Sequence, residues 1–364
     1  MNILILTGKF GMGHWSASQS LDQQLARAFP NARTQVVDFF AYAMPNASEA
    51  LYKAFHLLVT YGYGLFNTYY RLTSHLPADT RSPLDAPLLD KLDQLLLETR
   101  PDAVIATHPV CAGLVSRHKT LWDSALPLIT CVTDLSTHNE WLHANTDCYL
   151  VGSPEIRDRL RAKGVDGGRV LVTGIPVKEE FRRLARRQGG EKRRLLIMGG
   201  GLGLLPRKDS FYEALDALPG AETTILTGSN QRLYRRLLGK YPHIEVVGFT
   251  DRVWDYMAQA DLMLSKPGGI TVFESIFAEL PMLLWEPFLQ QEKNNARFLL
   301  QAGLARAADK DPQACVAAVR ALLYDDGALA RMSAQMRARK AELEAESLQR
   351  LLPVLAGGRG VYVK

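Results

Sequence analysis

The stretch MNILILTGKFGMGHWSASQSL (residues 1–21) joins an apolar run to a glycine-rich turn and then to a segment with helical spacing. Asn2–Leu6 is predicted to be a β-strand, and Ser16–Phe29 a helix whose apolar residues recur every three to four positions. Glycines directly after a strand allow a ligand to approach the backbone closely. The stretch therefore predicts a strand–turn–helix unit of an α/β fold, with a binding site at the turn.

The same alternation continues through the first half of the chain. Further strands are predicted at Thr34–Asp38, Ala103–Thr107, Leu128–Thr133 and Cys148–Val151. Strands separated by helices pair in parallel, and helices then cover both faces of the sheet. Such sheets carry their sites at the carboxyl ends of the strands, so the polar residues that follow each strand are the candidates for chemistry.

A second series of strands follows the basic run Lys178–Arg194. Its strands are predicted at Arg194–Met198, Glu222–Leu226, Glu245–Gly248, Leu262–Ser265 and Met282–Trp285. Ala328–Leu352 is predicted to be one polar helix with a mostly apolar stripe. The chain is therefore expected to contain two doubly wound α/β domains, with the boundary near Gly174–Arg194.

Length and composition limit the classes of protein. The chain has 364 residues, of which 47% are hydrophobic and 22% charged, as in soluble globular proteins of two domains. Its four cysteines include no C-x-x-C pair, which disfavours a zinc ribbon or a redox pair. The apolar start is too short for a signal peptide, and no run of about 18 apolar residues follows, so a cytoplasmic location is expected.

The net charge of +5 is concentrated in the second half of the chain. The run Lys178–Arg194 alone contains eight basic and three acidic residues. It indicates either a solvated linker or a contact with an anionic membrane. Because no nucleic-acid-binding signature accompanies it, no nucleic-acid partner is expected.

Histidine and aspartate follow two strands of the first domain. His14 comes directly after Gly11-Met12-Gly13, and a histidine at the carboxyl end of a strand can act as a general base near neutral pH. Asp134 follows the strand that ends at Thr133, and it could orient an imidazole, accept a proton or cap the next helix.

The first turn also partly matches a dinucleotide fingerprint. The spacing Gly11-x-Gly13-x-x-Ser16 lacks the third glycine of the fingerprint. Asp38, at the end of the second strand, could be its acidic residue, but it lies somewhat farther from the glycines than the usual distance of about 20 residues. An NAD-dependent dehydrogenase is therefore an alternative function.

Two glycine-rich turns follow strands of the second domain. Gly199–Gly203 could hold a phosphate on its backbone N–H groups or simply form a tight turn. Gly268 and Gly269 open a helix that carries Glu274, which suits a diphosphate at the helix N-terminus. A carboxylate one turn into that helix can accept two hydrogen bonds from a ribose diol.

The segment Ala47–Tyr70 is rich in aromatic residues. Seven fall within nineteen positions of this segment, and its apolar residues share one helical face until Gly62 and Gly64 break the helix. Such a helical hairpin either lies in a membrane interface or packs inside the protein.

Four stretches together resemble a known family, the diacylglycerol glucosyltransferases and monogalactosyldiacylglycerol synthases. The peptidoglycan lipid-intermediate GlcNAc transferase is a more distant relative. The stretches are ILTGKFGMGHWSASQSL, CVTDLSTHNEWLHANTDCYLVGS, VLVTGIPV and SKPGGITVFESIFAELPMLLWEPFLQQEKNNA. The last one is specific, because it combines Pro-Gly-Gly, a helix Glu and Gln-Glu with a following Asn.

The resemblance implies a GT-B fold, with two Rossmann-like domains facing across a cleft. Residues 1–174 would form the acceptor and membrane side, and residues 175–344 the UDP-sugar side. A C-terminal helix, about residues 345–364, would pack back on the first domain. The resemblance further implies transfer of a hexose from UDP-glucose or UDP-galactose to a lipid hydroxyl, with diacylglycerol as the expected acceptor. The resemblance also implies that the configuration at the anomeric carbon inverts and that no metal or other cofactor takes part. It places the protein peripherally on the inner face of the cell membrane.

The resemblance also assigns roles to individual residues. His14 is the expected base, and Asp134 its support or rival. The expected donor-binding residues are Gly200, Gly201, Phe249, Gly268, Gly269, Thr271, Glu274, Gln291, Glu292 and Asn295. The expected acceptor or membrane residues are Gly13, Tyr52, Phe55, Phe66, His138 and Trp141.

Two departures from the family pattern leave other functions open. Leu289-Gln290 stands where the family has Pro-Gly before Gln-Glu, and the first domain is not basic. The alternatives are transfer to a non-lipid acceptor such as a specialised metabolite, epimerisation of a UDP-sugar, and a binding protein with a dead site.

Overall fold

The computed structural model of the chain describes residues 1–74, 85–185, 190–201, 203–285, 287, 289–344 and 346–357. They form two compact units. The first unit contains residues 1–179 and 289–291 and the chain from residue 343 onward, and the second contains residues 180–288 and 292–342. Part of the basic run Lys178–Arg194, and the predicted extension of the C-terminal helix to residue 364, lie outside the described residues.

The first unit is built on a six-stranded parallel sheet in the order β2-β1-β3-β4-β5-β6. Its strands are β1 (Asn2–Thr7), β2 (Arg33–Asp38), β3 (Ala103–Ala106), β4 (Leu128–Cys131), β5 (Cys148–Val151) and β6 (Val170–Val172). The central strands are buried along their whole length rather than at alternate residues, because helices cover both faces of the sheet.

The second unit repeats this plan with the strand order β12-β11-β10-β7-β8-β9. Its strands are β7 (Arg193–Met198), β8 (Ala221–Leu226), β9 (Ile244–Val247), β10 (Leu262–Ser265), β11 (Met282–Leu284) and β12 (Ala305–Ala307). Every strand pair in both sheets is parallel, so each sheet collects the carboxyl ends of its strands along one edge.

The helices follow in chain order. They are α1 (Met12–Ala28), α2 (Phe39–Ala43), α3 (Ser48–Tyr61), α4 (Tyr63–Thr73), α5 (Asp85–Thr99), α6 (Pro109–Leu121), α7 (Pro154–Ala162), α8 (Glu179–Arg182), α9 (Asp209–Asp216), α10 (Gln231–Leu237), α11 (Val253–Gln259), α12 (Gly269–Ala278), α13 (Gln290–Gln301), α14 (Pro312–Leu323), α15 (Asp326–Ala341) and α16 (Ser347–Gly357). Within the described ranges, no helix is long and apolar enough to cross a bilayer.

All ten predicted strands are confirmed to within two residues, and the structure adds two. The additional strands are β6 and β12, each three residues long. Both lie at an edge of their sheet, where a strand pairs on one side only. So short a run carries little periodic pattern, which is why neither was expected.

The prediction of one helix over Ala328–Leu352 was wrong, because the chain forms α15 and α16 with a break between them. At the break, the N–H of Glu344 donates to the carbonyl of Val172 (2.7 Å), and the carboxylate of Glu344 accepts from the N–H of Val172 (3.3 Å). Glu344 therefore pairs with the free edge of β6 instead of continuing a helix. Beyond the break, Leu348 and Leu352 of α16 are buried against the first sheet.

Candidate active site

The carboxyl ends of β1, β3 and β4 meet in the first unit, because these strands are neighbours in the sheet. His14 lies in the first turn of α1, just after β1. Thr107 and His108 follow β3, and Thr133 and Asp134 follow β4. The topology thus brings His14 together with titratable groups that follow it by about 90 to 120 residues in the chain.

The imidazole of His14 is held in one tautomer by its neighbours. Nδ1 lies 2.9 Å from the carbonyl oxygen of Thr107 and 2.8 Å from the hydroxyl of Thr133. A carbonyl oxygen can only accept, so Nδ1 carries the proton and Nε2 keeps its lone pair. Nε2 has no hydrogen-bond partner among the residues described.

Burial also keeps this ring neutral. Desolvation lowers the pKa of His14 to about 4, against the opposing effect of the hydrogen bond to Thr107. At neutral pH, His14 is therefore an unprotonated imidazole with one free nitrogen, which is the form that a general base requires.

Asp134 does not orient this imidazole, since the described part of the chain shows no hydrogen bond between them. Burial raises the pKa of Asp134 to about 6, and the nearby indole N–H of Trp141 opposes this rise. Burial and the nearby charge of Asp134 raise the pKa of Glu140 to about 8. This placement favours Asp134 as a rival base over Asp134 as a support for His14, and its role stays a prediction.

The two candidate bases predict different pH profiles. Each must be unprotonated to act, so kcat/KM falls as the pH drops through the pKa of the working base. With His14 as base, kcat/KM is expected to stay nearly constant down to pH 5, where about nine-tenths of a group with a pKa of about 4 is unprotonated. With Asp134 as base, only about one-tenth would be ionised at pH 5. Initial rates from pH 8 to pH 5, with circular dichroism as a check on folding, decide between them. A constant kcat/KM down to pH 5 supports His14, a fall with its midpoint near pH 6 supports Asp134, and a fall with its midpoint above pH 7 would contradict both.

Two predicted acceptor residues have positions that indicate structural roles. His138 is buried, its Nε2 donates to the carbonyl of Tyr70 (2.8 Å), and its Nδ1 accepts from the N–H of Glu140 (3.2 Å). Both nitrogens are thus occupied, and the ring ties the loop after β4 to α4. Trp141 is 1% exposed and packs in the core beside β5 and β6, so its indole does not form an acceptor or membrane surface.

The other predicted acceptor residues form the inner side of the α3–α4 hairpin, apart from Gly13, which lies in the first turn of α1. Tyr52 and Phe55 pack edge-on against Phe10, and Phe66 packs against Phe55. The exposed apolar side chains of the two helices are different residues, none of which is among the predicted acceptor or membrane residues. They are Leu51, Leu57, Leu58, Tyr61, Tyr63, Leu65, Tyr69 and Leu72. We call these eight residues the hairpin surface.

The structure disfavours the alternative of a dinucleotide-binding dehydrogenase, because Asp38 is not available to bind a ribose. Asp38 caps α2 through a bond from the N–H of Ala41, and its carboxylate also accepts from the hydroxyl of Tyr52. The carboxylate is thus engaged inside the protein rather than presented to a ribose.

In the second unit, the carboxyl end of β10 leads into the N-terminus of α12. Gly268 is the N-cap and has no side chain to cap the helix, and the residues that the structure describes provide no side-chain acceptor for the first N–H groups of this ten-residue helix. Thr271 lies in the first turn and Glu274 in the second, and both are partly exposed. This is the arrangement that binds an anion at a helix N-terminus.

Helix α13 supports this loop from the side. The side-chain amide of Asn295, which is 1% exposed, donates to the carbonyl of Pro267 (2.9 Å). Lys266 and Glu292 form a poorly exposed ion pair with N and O 4.0 Å apart. These contacts indicate that Asn295 positions the loop, whereas the sequence had suggested that it contacts the UDP-sugar directly.

The glycines of Gly199–Gly203 have separate reasons to be glycine. A Cβ on Gly203 would lie 2.0 Å from the carbonyl oxygen of Thr227, and one on Gly199 would lie 2.5 Å from the amide of Leu204. Gly200 has φ +70°, with open space around it. Gly200 and Gly201 are exposed, and the described residues provide no partner for their N–H groups. Packing therefore requires the outer glycines, while the inner two present donors.

Two further residues were predicted to bind the UDP-sugar, and no contact among the residues that the structure describes indicates the role of either. Phe249 follows β9 and is 63% exposed, at the same edge of the second sheet. Gln291 lies in the first turn of α13. Their assignments to the uracil and the sugar stay predictions.

Known proteins resemble the chain along nearly its whole length. The family model for monogalactosyldiacylglycerol (MGDG) synthase matches residues 14–177, and that for the glycosyltransferase family 28 C-terminal domain matches residues 195–348. A processive diacylglycerol beta-glucosyltransferase of Bacillus licheniformis is 27% identical over 92% of this chain and 90% of its own.

Solved structures show the same fold. MurG of Acinetobacter baumannii has a TM-score of 0.64 at 15% identity and covers 98% of this chain and 99% of its own. A UDP-N-acetylglucosamine 2-epimerase has a TM-score of 0.61 at 14% identity, and the match covers 100% of this chain and 98% of the epimerase chain. At such identities the likeness shows the fold alone, and it confirms the predicted GT-B class of two doubly wound units.

Proposed function

Because the chain belongs to the glycosyltransferase family of the diacylglycerol glucosyltransferases and monogalactosyldiacylglycerol synthases, we propose that it transfers a hexose from a UDP-sugar to the hydroxyl of diacylglycerol. The relatives that carry this name match both halves of the chain. The observation that carries the proposal is the neutral His14 ring, with its free Nε2 at the carboxyl edge of the first sheet.

The proposed reaction is a single displacement. Nε2 of His14 takes the proton from the acceptor hydroxyl while that oxygen attacks C1 of the sugar. The bond from C1 to the diphosphate oxygen breaks with both electrons going to UDP, so the configuration at C1 inverts. The carbonyl of Thr107, bonded to Nδ1–H, stabilises the imidazolium that forms.

The donor is proposed to bind the carboxyl edge of the second sheet. The N–H groups at Gly268, Gly269 and Thr271 would hold the diphosphate and stabilise its growing charge. Glu274 would accept from the ribose hydroxyls, and Glu292 from the sugar. In this proposal the helix N-terminus supplies the positive potential, and no metal is required.

We further propose that the hairpin surface inserts into the membrane interface, which would make the protein peripheral to the cytoplasmic face. Replacing Tyr61, Leu65 and Leu72 by Ser is expected to weaken binding to phospholipid vesicles about 100-fold. Each of these side chains is at least 66% exposed, and burying one in lipid is worth roughly 1.5–3 kcal/mol at most.

Sedimentation with vesicles that contain diacylglycerol measures this effect. The matched control is Leu97→Ser, which removes an equally exposed leucine from α5 of the same unit. Equal binding of the triple variant and the control would contradict insertion through the hairpin surface.

Product analysis tests the acceptor and the reaction type together. With UDP-glucose or UDP-galactose and diacylglycerol, the proposal predicts a β-linked glycosyl diacylglycerol, identified by mass spectrometry and NMR. A glycosylated water-soluble acceptor would instead support a specialised-metabolite enzyme. A new UDP-sugar formed without acceptor would support an epimerase.

A further inference from the structure

A second histidine lies against His14, and neither the sequence reasoning nor the mechanism above uses it. His108 follows β3 and is the N-cap of α6. It is 8% exposed, and its ring centroid lies 4.8 Å from that of His14, in an edge-on contact. Two aromatic rings complete its surroundings, Phe10 at 5.2 Å and Phe40 at 5.3 Å.

The nitrogens of this ring have no partner in the described part of the chain. Nδ1 is buried and unbonded, and the side chain makes no capping bond to α6. The buried ring of His138 differs, because both of its nitrogens are bonded. A buried imidazole without a hydrogen bond destabilises the folded protein, so its presence beside the base calls for a ligand.

The proton state of the ring suits a neutral ligand. Burial, and secondarily the neighbouring His14, hold the pKa of His108 well below its usual range. The ring is therefore uncharged at neutral pH and offers one N–H donor and one lone pair.

The surrounding rings suggest what that ligand is. Phe10 contacts His108 on one side and Tyr52 and Phe55 of α3 on the other, so an apolar wall leads from His108 toward the hairpin. An acylated glycerol has an ester carbonyl a few bonds from its free hydroxyl, with apolar chains beyond. Two adjacent imidazoles supply a base for the hydroxyl and an N–H donor for the carbonyl.

We propose that His108 is an acceptor-binding residue whose Nε2–H, the nitrogen that is not fully buried, donates to an ester carbonyl of the acylated glycerol while His14 takes the proton of its hydroxyl. This inference rests on the proposed function, and it adds the residue that recognises the ester. His108 would thus select ester-linked over ether-linked glycerolipids, because an ether has no carbonyl oxygen to accept the bond.

The test compares kcat/KM for diacylglycerol and for a dialkylglycerol with matched chains. The wild type is expected to favour the ester about tenfold, as for one neutral hydrogen bond. His108→Phe fits between Phe10 and Phe40 and is expected to bring the ratio to about one. His108→Gln restores an N–H donor and is expected to recover part of the preference. KM for the UDP-sugar should not change in any variant.

Stability gives an independent readout. His108→Phe removes unbonded buried nitrogens, so its Tm is expected to equal or exceed that of the wild type. A variant that fails to fold would overturn the proposal, as would an ester-to-ether ratio that is the same in all three proteins. A wild type inactive on both lipids would overturn the proposed function as well, and this result is distinct from an active enzyme without ester preference.

Discussion

His14→Ala is expected to lower kcat by about 10²–10⁴-fold, the usual contribution of a general base. The structure gives this ring the required proton state, since Nδ1–H is fixed by the carbonyl of Thr107 and Nε2 is free. Binding of UDP should stay unchanged, because His14 belongs to the first unit and the proposed diphosphate loop to the second. Steady-state rates and calorimetric titration with UDP measure the two quantities separately.

The control for this variant is His243→Ala. His243 is exposed and lies just before β9. It is therefore at the amino ends of the strands of the second sheet, whereas the proposed donor site is at their carboxyl ends. It is expected to keep full activity. If His14→Ala also keeps full turnover, the assignment of the base is wrong and Asp134 becomes the first candidate.

Glu274→Gln is expected to raise the Kd for UDP by roughly ten- to a hundredfold. A carboxylate that accepts from both ribose hydroxyls contributes about 1.5–3 kcal/mol through bonds to a charged group, and the amide retains only one acceptor oxygen. The variant should weaken UDP and UDP-sugar equally, because the contact is to the nucleotide. Calorimetric titration with UDP and with a UDP-sugar measures the effect.

Glu213→Gln provides the matched control on another helix of the same unit. Glu213 is an exposed carboxylate of α9 in the same unit, with no ion-pair partner among the described residues. It is expected to bind UDP as the wild type does. An unchanged Kd in Glu274→Gln would remove Glu274 from the donor site.

The fold was predictable because its signal is local. Each central strand is a continuous apolar run that ends in polar or glycine residues, and this pattern marks strands covered on both faces. The break between α15 and α16 was not predictable, since it depends on Glu344 pairing with the edge strand β6, some 170 residues earlier.

The candidate site was only partly predictable, for a similar reason. A histidine or aspartate after a strand identifies the edge of the sheet, and His14 and Asp134 do lie there. The sequence does not say which neighbour binds Nδ1 of His14, and that neighbour is a backbone carbonyl. His108 also directly follows a strand, but it was not predicted as a site residue because no glycine-rich turn adjoins it.

The aromatic segment illustrates how helix orientation escapes sequence reasoning. Its amphipathic character was correctly predicted, and two helices form. Tyr52, Phe55 and Phe66 nevertheless face inward, because Phe10 from the loop after β1 provides their packing surface. Only that tertiary contact identifies Tyr61, Leu65 and Leu72 as the exposed residues.

UDP release from a panel of UDP-sugars, each with and without diacylglycerol in mixed micelles, tests transfer to diacylglycerol directly. Release is expected from one UDP-hexose only when diacylglycerol is present, and His14→Ala is expected to release UDP at least about a hundredfold more slowly under the same conditions. Release that does not depend on lipid, or its complete absence with every donor, would contradict transfer to diacylglycerol.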